Sequence, residues 1–373
     1  MSSPSNAISA AATSEGGVNL ILHRAATAAL IGTMILVALI PHLPSLMHMI
    51  IIPDFTMLWT GGRFAIDMPS QVYDVESVTA AQAWIRDAKR GPLPFIYPPT
   101  ALLLIVPFGL LPFWPSFILW TVVGATAFWV AASLVSSRRA AALALLSPPA
   151  VTVLMLGQTT LLVGAAVLAS LAWFKDRPIL SGVLMGVAAA IKPQSAFLAP
   201  VAYLACRNWT AMVAAAGTWL LIALMSLGFG PTLWLDWLAA LPDFPGMIAE
   251  WKLDRYGATP SMLARFIGAD PTTFFVAGLL AGIAAVWVAS KSEEPSIRAL
   301  GFVGGTLIAS PYAMNYEVAI AAPMLVAALL TTTLRGLVIA MPLVALRVYA
   351  IVPAVLLSLT VTLWPRRANL NST

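Results

Sequence analysis

The chain has 373 residues, 60% hydrophobic and 9% charged. Soluble globular chains carry roughly 25% charged residues and about 45–50% apolar ones, so a single water-soluble core cannot hide this much apolar surface. That excludes a soluble enzyme, a disordered chain and a fibrous repeat, and leaves a polytopic, all-α integral membrane protein. A β-barrel is excluded as well: barrel strands alternate apolar and polar residues, whereas 210–228 and 272–289 are continuous apolar stretches. The single cysteine, Cys206, rules out an intramolecular disulfide. The only histidines, His23, His42 and His48, lie near the N-terminus, so no His-rich metal site is expected. The net charge of +5 is attributed to a positive-inside bias, not to nucleic acid binding.

In chain order, residues 1–24 form a polar cytoplasmic tail, 25–365 a single transmembrane domain and 366–373 a second tail. The first tail does not resemble a signal peptide, because its positive residue, Arg24, follows the polar stretch and no small-residue cleavage site follows the apolar run. The first span is predicted at about 25–46. Segment 53–99 then holds nine charged residues, and 231–271 holds eight, so 17 of the 35 charges occupy less than a quarter of the chain. Ten of the 15 acids lie in these two segments, which are predicted to be outer loops. The basic connectors Arg138-Arg139, Lys175 to Arg177, Arg207-Asn208, Lys291 to Arg298, Arg335 and Arg366-Arg367 are assigned to the cytoplasmic side. The outer set then also contains Gly157-Gln158, Lys192 to Gln194 and Ser310 to Glu317. Breaks at Leu111 to Pro115 and Ser147 to Pro149 divide two long apolar stretches, and ten to twelve helices are expected, several short or broken. Broken helices are tolerated at membrane depth only where freed backbone groups meet protein or a wet cavity, so the 28 prolines point to a cavity open to the outer face.

Several residues carry candidate chemistry, each beside a plainer role. Asp54 follows the apolar run Met49 to Pro53. A carboxylate at the membrane boundary is partly desolvated and suits a general base; the plainer role is an N-cap for a helix starting at Phe55. Lys192 ends a Gly/Ala-rich helix. It either holds a phosphate or snorkels to the headgroups. Gln158 is either a polar helix cap or a hydrogen-bond partner for a sugar hydroxyl. Tyr312, Asn315 and Tyr316 either form an aromatic belt or line a carbohydrate site. Arg255 and Arg265 are possible phosphate clamps in the second loop, with solvated loop arginines as the plainer reading. Tyr97-Pro98-Pro99 stops one helix and starts another.

Taken in order, Asp54-Phe55…Trp59…Gly62-Arg63, Val72-Tyr73-Asp74, Tyr97-Pro98-Pro99, Leu110-Leu111-Pro112, Gly157-Gln158, Ala190 to Gln194, Ser261 to Gly268 and Ser310-Pro311…Tyr316 resemble the membrane glycosyltransferases of family 87. The resemblance covers about residues 50–325. It implies a C-type glycosyltransferase fold and a polyprenol-phosphate sugar donor, usually mannose. It also implies a glycan or glycolipid acceptor at the outer leaflet or in the periplasm of a bacterial inner membrane, with membrane lipids as the remaining partners. No cofactor or metal is implied. The family's catalytic base falls on Asp54, and Arg63, Tyr97, Gln158, Lys192, Gln194, Arg255, Arg265, Tyr312, Asn315 and Tyr316 are assigned to substrate binding. Family members often have His and Asp where this chain has Tyr312 and Glu317. The expected activity is an inverting glycosyl transfer. The rival is a transporter or flippase for a lipid-linked or small polar solute; it predicts charges buried along a path through the bilayer, and 159–174 and 210–230 contain none.

Overall fold

A computed structural model describes residues 54–85, 93–250 and 253–330. The expected tails, the span at 25–46 and the connectors at Arg335 and Arg366-Arg367 lie outside the described residues. Within them the regular elements are helices, with one isolated antiparallel bridge between Gly257 and Met314.

The chain opens with α1 (Phe55–Asp67) and a short α2 (Val75–Gln82). The apolar stretch from Pro99 divides into α3 (Leu102–Gly109) and α4 (Phe113–Val135). Next come α5 (Arg138–Ala144) and α6 (Pro148–Leu156), bent by 59° at the Ser147 break. Then α7 (Thr160–Ala172) and α8 (Pro178–Ile191) run between the two ends of the molecule. After α9 (Ala199–Ala205) and α10 (Trp209–Ser226), the second charged segment carries α11 (Thr232–Ala240), α12 (Phe244–Glu250) and α13 (Pro260–Ile267). The chain returns through α14 (Pro271–Ala289), α15 (Pro295–Ala309) and α16 (Ala322–Leu329).

The starts follow local chemistry. Asp74, Ser137, Asn208, Thr259 and Asp270 accept backbone N–H groups at the N-termini of α2, α5, α10, α13 and α14. Pro148, Pro178, Pro260, Pro271 and Pro295 occupy first-turn positions, where a missing N–H costs nothing.

Among the described residues three helical stretches are long and apolar enough to cross a bilayer: α4, Trp209–Phe229 and α14; the bent α5–α6 pair makes a fourth if counted as one span. At 1.5 Å per residue, 19 to 23 residues reach roughly 30–35 Å, the thickness of the hydrocarbon layer. Their outward faces are apolar, with Ile118 and Val122 on α4, Val213 and Leu221 on α10, and Leu280 on α14 more than half exposed. Surface of this kind on several helices is what a lipid solvent requires. The chain is an all-α polytopic membrane protein.

Helix breaks are sealed by side chains. Pro107 lies inside α3, and Pro112, which has no N–H, leaves the Phe108 carbonyl without its i+4 donor; the Ser116 hydroxyl donates to that carbonyl at 2.7 Å, while Trp59 Nε1 donates to Leu111 O at 2.9 Å. The Thr100 hydroxyl donates to Ala190 O at the end of α8. At the opposite end of the helices, Arg298 Nε donates to Leu171 O at 2.9 Å and Asn208 Nδ2 to Phe174 O at 2.7 Å. There Lys175 also pairs with Glu293 at 2.6 Å. The connectors at 175–177, 206–208 and 290–298 thus gather at one end. Gly157-Gln158, Lys192 and 310–317 gather at the other.

Close helix packing uses glycine. A Cβ on Gly186 would lie 2.6 Å from the Ala215 carbonyl, so α8 and α10 touch backbone to backbone. Gly217, also on α10, has nothing within 4 Å of that position. Gly186→Ala is therefore expected to destabilise the protein by about 1–3 kcal/mol through overpacking, whereas Gly217→Ala leaves it within about 1 kcal/mol of the parent. Thermal unfolding in detergent micelles measures both, and equal midpoints for the two variants would contradict this packing.

Candidate active site

Asp54 stands at the N-cap of α1 but does not cap it: its side chain makes no cap hydrogen bond to the helix backbone. Its Oδ2 instead accepts from Gln158 Nε2 at 2.8 Å, from a residue 104 positions away. The Gln158 amide is held in that orientation from its other side, because the Tyr97 hydroxyl donates to Oε1 at 3.1 Å. The Tyr97 hydroxyl also lies 3.0 Å from Thr159 Oγ1. All three partners of this chain beyond Asp54 are buried.

A left-handed turn places Gln158. Gly157 ends α6 with φ 66°, a conformation open to glycine without strain. A Cβ there would also sit 2.7 Å from Phe55 Cβ. The turn therefore presses directly on the residue after Asp54, and α1 and the α6–α7 junction meet without a gap. Phe55 packs against Phe113, Phe117 and Trp120 at ring separations of 5.6–5.9 Å, which anchors the start of α1 beneath the site.

A second cluster lies beside the first. Lys192 ends α8 and pairs with Glu317, both side chains only 6–7% exposed. Thr160 Oγ1 donates to the same Glu317 oxygen at 3.2 Å, and the Lys192 ammonium sits 5.7 Å from the Tyr316 ring centre. Burial of both ions is tolerated because each has a partner and further polar contact.

Both clusters border one cavity of about 440 Å³, the size of a small-ligand site. Tyr97, Gln158, Lys192, Gln194, Tyr312 and Tyr316 line it. Asp54 is not in the lining and reaches the cavity edge through Gln158. One wall is the apolar-to-polar stripe Val303, Thr306, Leu307 and Ser310, spaced to fall on one face of α15. The two charged loops roof it. Trp237 Nε1 donates to Ile96 O at 3.3 Å, the Phe244 ring packs edge-on to Tyr312 at 5.0 Å, and Ala258 N donates to Ala313 O at 2.8 Å. Tyr73 donates to Tyr97 O at 2.7 Å. Burial, and secondarily the Asp236 carboxylate, push its phenol above the usual tyrosine range, so it remains a donor at working pH.

The arginines go elsewhere. Arg63 pairs with Asp67 at 3.4 Å, one helical turn on, with both side chains about half exposed. Arg255 is exposed and lies over the Tyr256 ring at 4.8 Å, and Arg265 is half-buried in the last turn of α13. None of the three lines the cavity, and neither does Asn315. Sequence reasoning named Tyr73 and Glu317 as motif positions but gave no site role to them or to Trp237, Asp243 or Phe244, all of which do line it. Glu317 had a signal: a lone acid before an apolar stretch calls for a cationic partner, and Lys192 is the one basic residue of the lining among the described residues. Among the described residues no group of three or more His, Cys, Asp or Glu side chains could hold a metal ion.

Residues 95–311 match the model of glycosyltransferase family 87. The matched span contains Tyr97, Gln158 and Lys192, while Asp54 and 312–317 fall outside it. A curated relative from Mycolicibacterium smegmatis, a polyprenol-phosphate-mannose-dependent alpha-(1-2)-phosphatidylinositol pentamannoside mannosyltransferase, is 31% identical over 170 residues. That alignment covers 43% of this chain and 39% of the relative. No solved structure matches the chain.

If Gln158 joins Asp54 to Tyr97, Gln158→Leu strips both of a partner while keeping similar bulk. The expected loss is about 1–3 kcal/mol of stability, the cost of buried polar groups left short of a bond. Gln194→Leu, at a half-buried lining position with no such chain, is expected to fall within about 0.5 kcal/mol of the parent. Thermal unfolding compares the two, and equal effects would contradict the bridging role.

Proposed function

The chain belongs to glycosyltransferase family 87, and from that premise we propose that it transfers a sugar from a polyprenol-phosphate donor to a glycan or glycolipid acceptor, with Asp54 as general base. The mannosyl transfer of the Mycolicibacterium relative, dependent on polyprenol-phosphate-mannose, supports a polyprenol-phosphate donor and mannose as the sugar. The observation that carries the role of Asp54 is its bonding: the carboxylate makes no cap bond to its own helix and accepts from Gln158, a residue of the cavity lining.

The steps follow from where charge must go. The acceptor hydroxyl gives its proton to Asp54 as its oxygen bonds to the anomeric carbon. The anomeric carbon–oxygen bond to phosphate breaks on the opposite face, and its electron pair stays on the phosphate oxygen. Displacement of this kind inverts the anomeric configuration. The N-terminus of α1 favours negative charge at Asp54, and Gln158 holds the accepting carboxylate still, which is the value of a preorganised base. Lys192 is the lining cation nearest the anion's seat, with Tyr312, Tyr316 and Gln194 offering further polar contact and ring faces for the sugar. Arg63, Arg255 and Arg265 stand outside this chemistry. Polyprenyl chains live in the membrane, which agrees with a cavity whose lining is mostly apolar and which sits in a chain with bilayer-crossing helices. We place the site on the periplasmic side of a bacterial inner membrane, from the acidic bias of the two roofing loops.

Asp54→Asn keeps the shape and removes the base. It is expected to lower turnover by about 10²–10⁴-fold with little change in donor KM. The assay is mannose transfer from a polyprenyl-phosphate mannose to a mannosylated phosphatidylinositol by the purified chain in nanodiscs. Transfer by Asp54→Asn within threefold of the parent would remove Asp54 from the mechanism. Nuclear magnetic resonance of the product's anomeric proton tests inversion in the same reaction, and a retained configuration would contradict direct displacement.

A further inference from the structure

Among the described residues the cavity's charge is nearly balanced. Its lining contains Lys192, Asp243 and Glu317, and Lys192 is already paired with Glu317. A strong anion trap would leave its lysine uncompensated. Here the carboxylate is built in, 125 residues along the chain, and Thr160 donates to the same oxygen that meets the lysine. The pair sits at the junction of α8, α7 and the 3-10 segment Asn315–Ile320, so it belongs to the packed scaffold.

The reaction changes the anion it handles. A polyprenol-phosphate sugar is a phosphodiester with one negative charge. When the sugar leaves, the lipid keeps a phosphomonoester, which carries about −1.5 to −2 at pH 7. The base has meanwhile taken one proton from the acceptor, so the extra charge appears on the phosphate. An unpaired buried lysine would hold the product more tightly than the donor and slow its departure.

We infer that Glu317 is a built-in counter-ion that keeps Lys192 from binding the polyprenyl phosphomonoester product more tightly than the phosphodiester donor. This rests on the proposed donor class and adds a role for Glu317 in product release. Glu317 acts through Lys192 and takes no part in bond making. Tyr97, Tyr312 and Tyr316 face the same space as neutral donors, and Asp54 and Asp243 add further negative charge at its margin. The two carboxylates, not the tyrosine hydroxyls, reinforce the bias against a second negative charge.

The experiment measures equilibrium binding to the full chain in nanodiscs, without acceptor and without turnover. The probes are a polyprenyl monophosphate and its methyl diester of equal chain length. The parent chain is expected to bind both with dissociation constants within about threefold, since a neutral pair gives little premium for a second charge. Glu317→Gln is expected to lower the monophosphate constant roughly tenfold and the diester constant less, because a lysine–phosphate hydrogen bond gains from the missing competitor. Glu317→Asp is expected to behave as the parent. An unchanged monophosphate constant in Glu317→Gln would overturn the inference. If that variant does not fold, Lys192→Met with Glu317→Leu removes both charges without leaving either unpaired. The double variant is expected to lose monophosphate affinity at least tenfold, and parent-like affinity would show that the pair is not at the phosphate seat. The two readings separate cleanly. A parent chain that binds both probes but transfers no sugar defeats the proposed function and leaves this inference standing. Transfer by the parent with unaltered binding in Glu317→Gln does the reverse.

Discussion

Inside a bilayer no water is present to receive a carbonyl or a charge that loses its partner, and the structure is organised around that constraint. Each break in a helix is closed by a particular side chain. Ser116 serves the Phe108 carbonyl, which Pro112 cannot, Trp59 serves Leu111, Thr100 serves Ala190, and Arg298 serves Leu171. Such partners let short helices such as α3 and α6 coexist with the full-length α4, α10 and α14. The polar groups used at these breaks gather at the two ends of the molecule, and one end becomes the site.

The site is a special case of the same rule. Asp54, Gln158, Tyr97 and Thr159 form one hydrogen-bonded chain, and Lys192, Glu317 and Thr160 form another. Satisfying buried groups and aligning reactive ones are here the same act. The chain that stops Gln158 from being an orphan also aims its amide at Asp54. The pair that makes a buried lysine tolerable also sets how strongly that lysine can hold an anion. The roof is tied down on both sides: Trp237 joins the second charged loop to the first, and Phe244 and Ala258 join it to the 310–317 segment.

Membrane class and all-helical fold were legible from composition, and the grouping of connectors into two sets agrees with the contacts that join them. The Leu111–Pro115 break was visible too, but not that it separates an eight-residue helix from one of 23. Six of the proposed site residues meet in one cavity, and Asp54 joins it through Gln158. Residues at helix ends that interrupt long apolar runs, such as Gln158 and Lys192, were identifiable because polar groups there need a reason. The loop arginines were not decidable. Arg63 finds its partner one turn away on the same helix, a local pairing that spacing allows as readily as it allows a phosphate clamp. The Lys192–Glu317 pair joins residues 125 positions apart, and Phe244 and Trp237 reach the cavity only because α11 and α12 fold back over it. Contacts of that range depend on tertiary packing, which a single sequence does not display.

The central claim is that a lipid-phosphate sugar sits between Asp54 and the Lys192–Glu317 pair. Cryo-electron microscopy of the full chain with a non-transferable polyprenyl-phosphonate sugar and a glycolipid acceptor tests it most directly. The account predicts the phosphonate beside Lys192 and an acceptor hydroxyl within about 2.6–3.2 Å of an Asp54 oxygen, on the face of the sugar opposite the phosphonate. Sugar density on the far side of Gln158 from Asp54, or an acceptor hydroxyl held by another carboxylate, would contradict it.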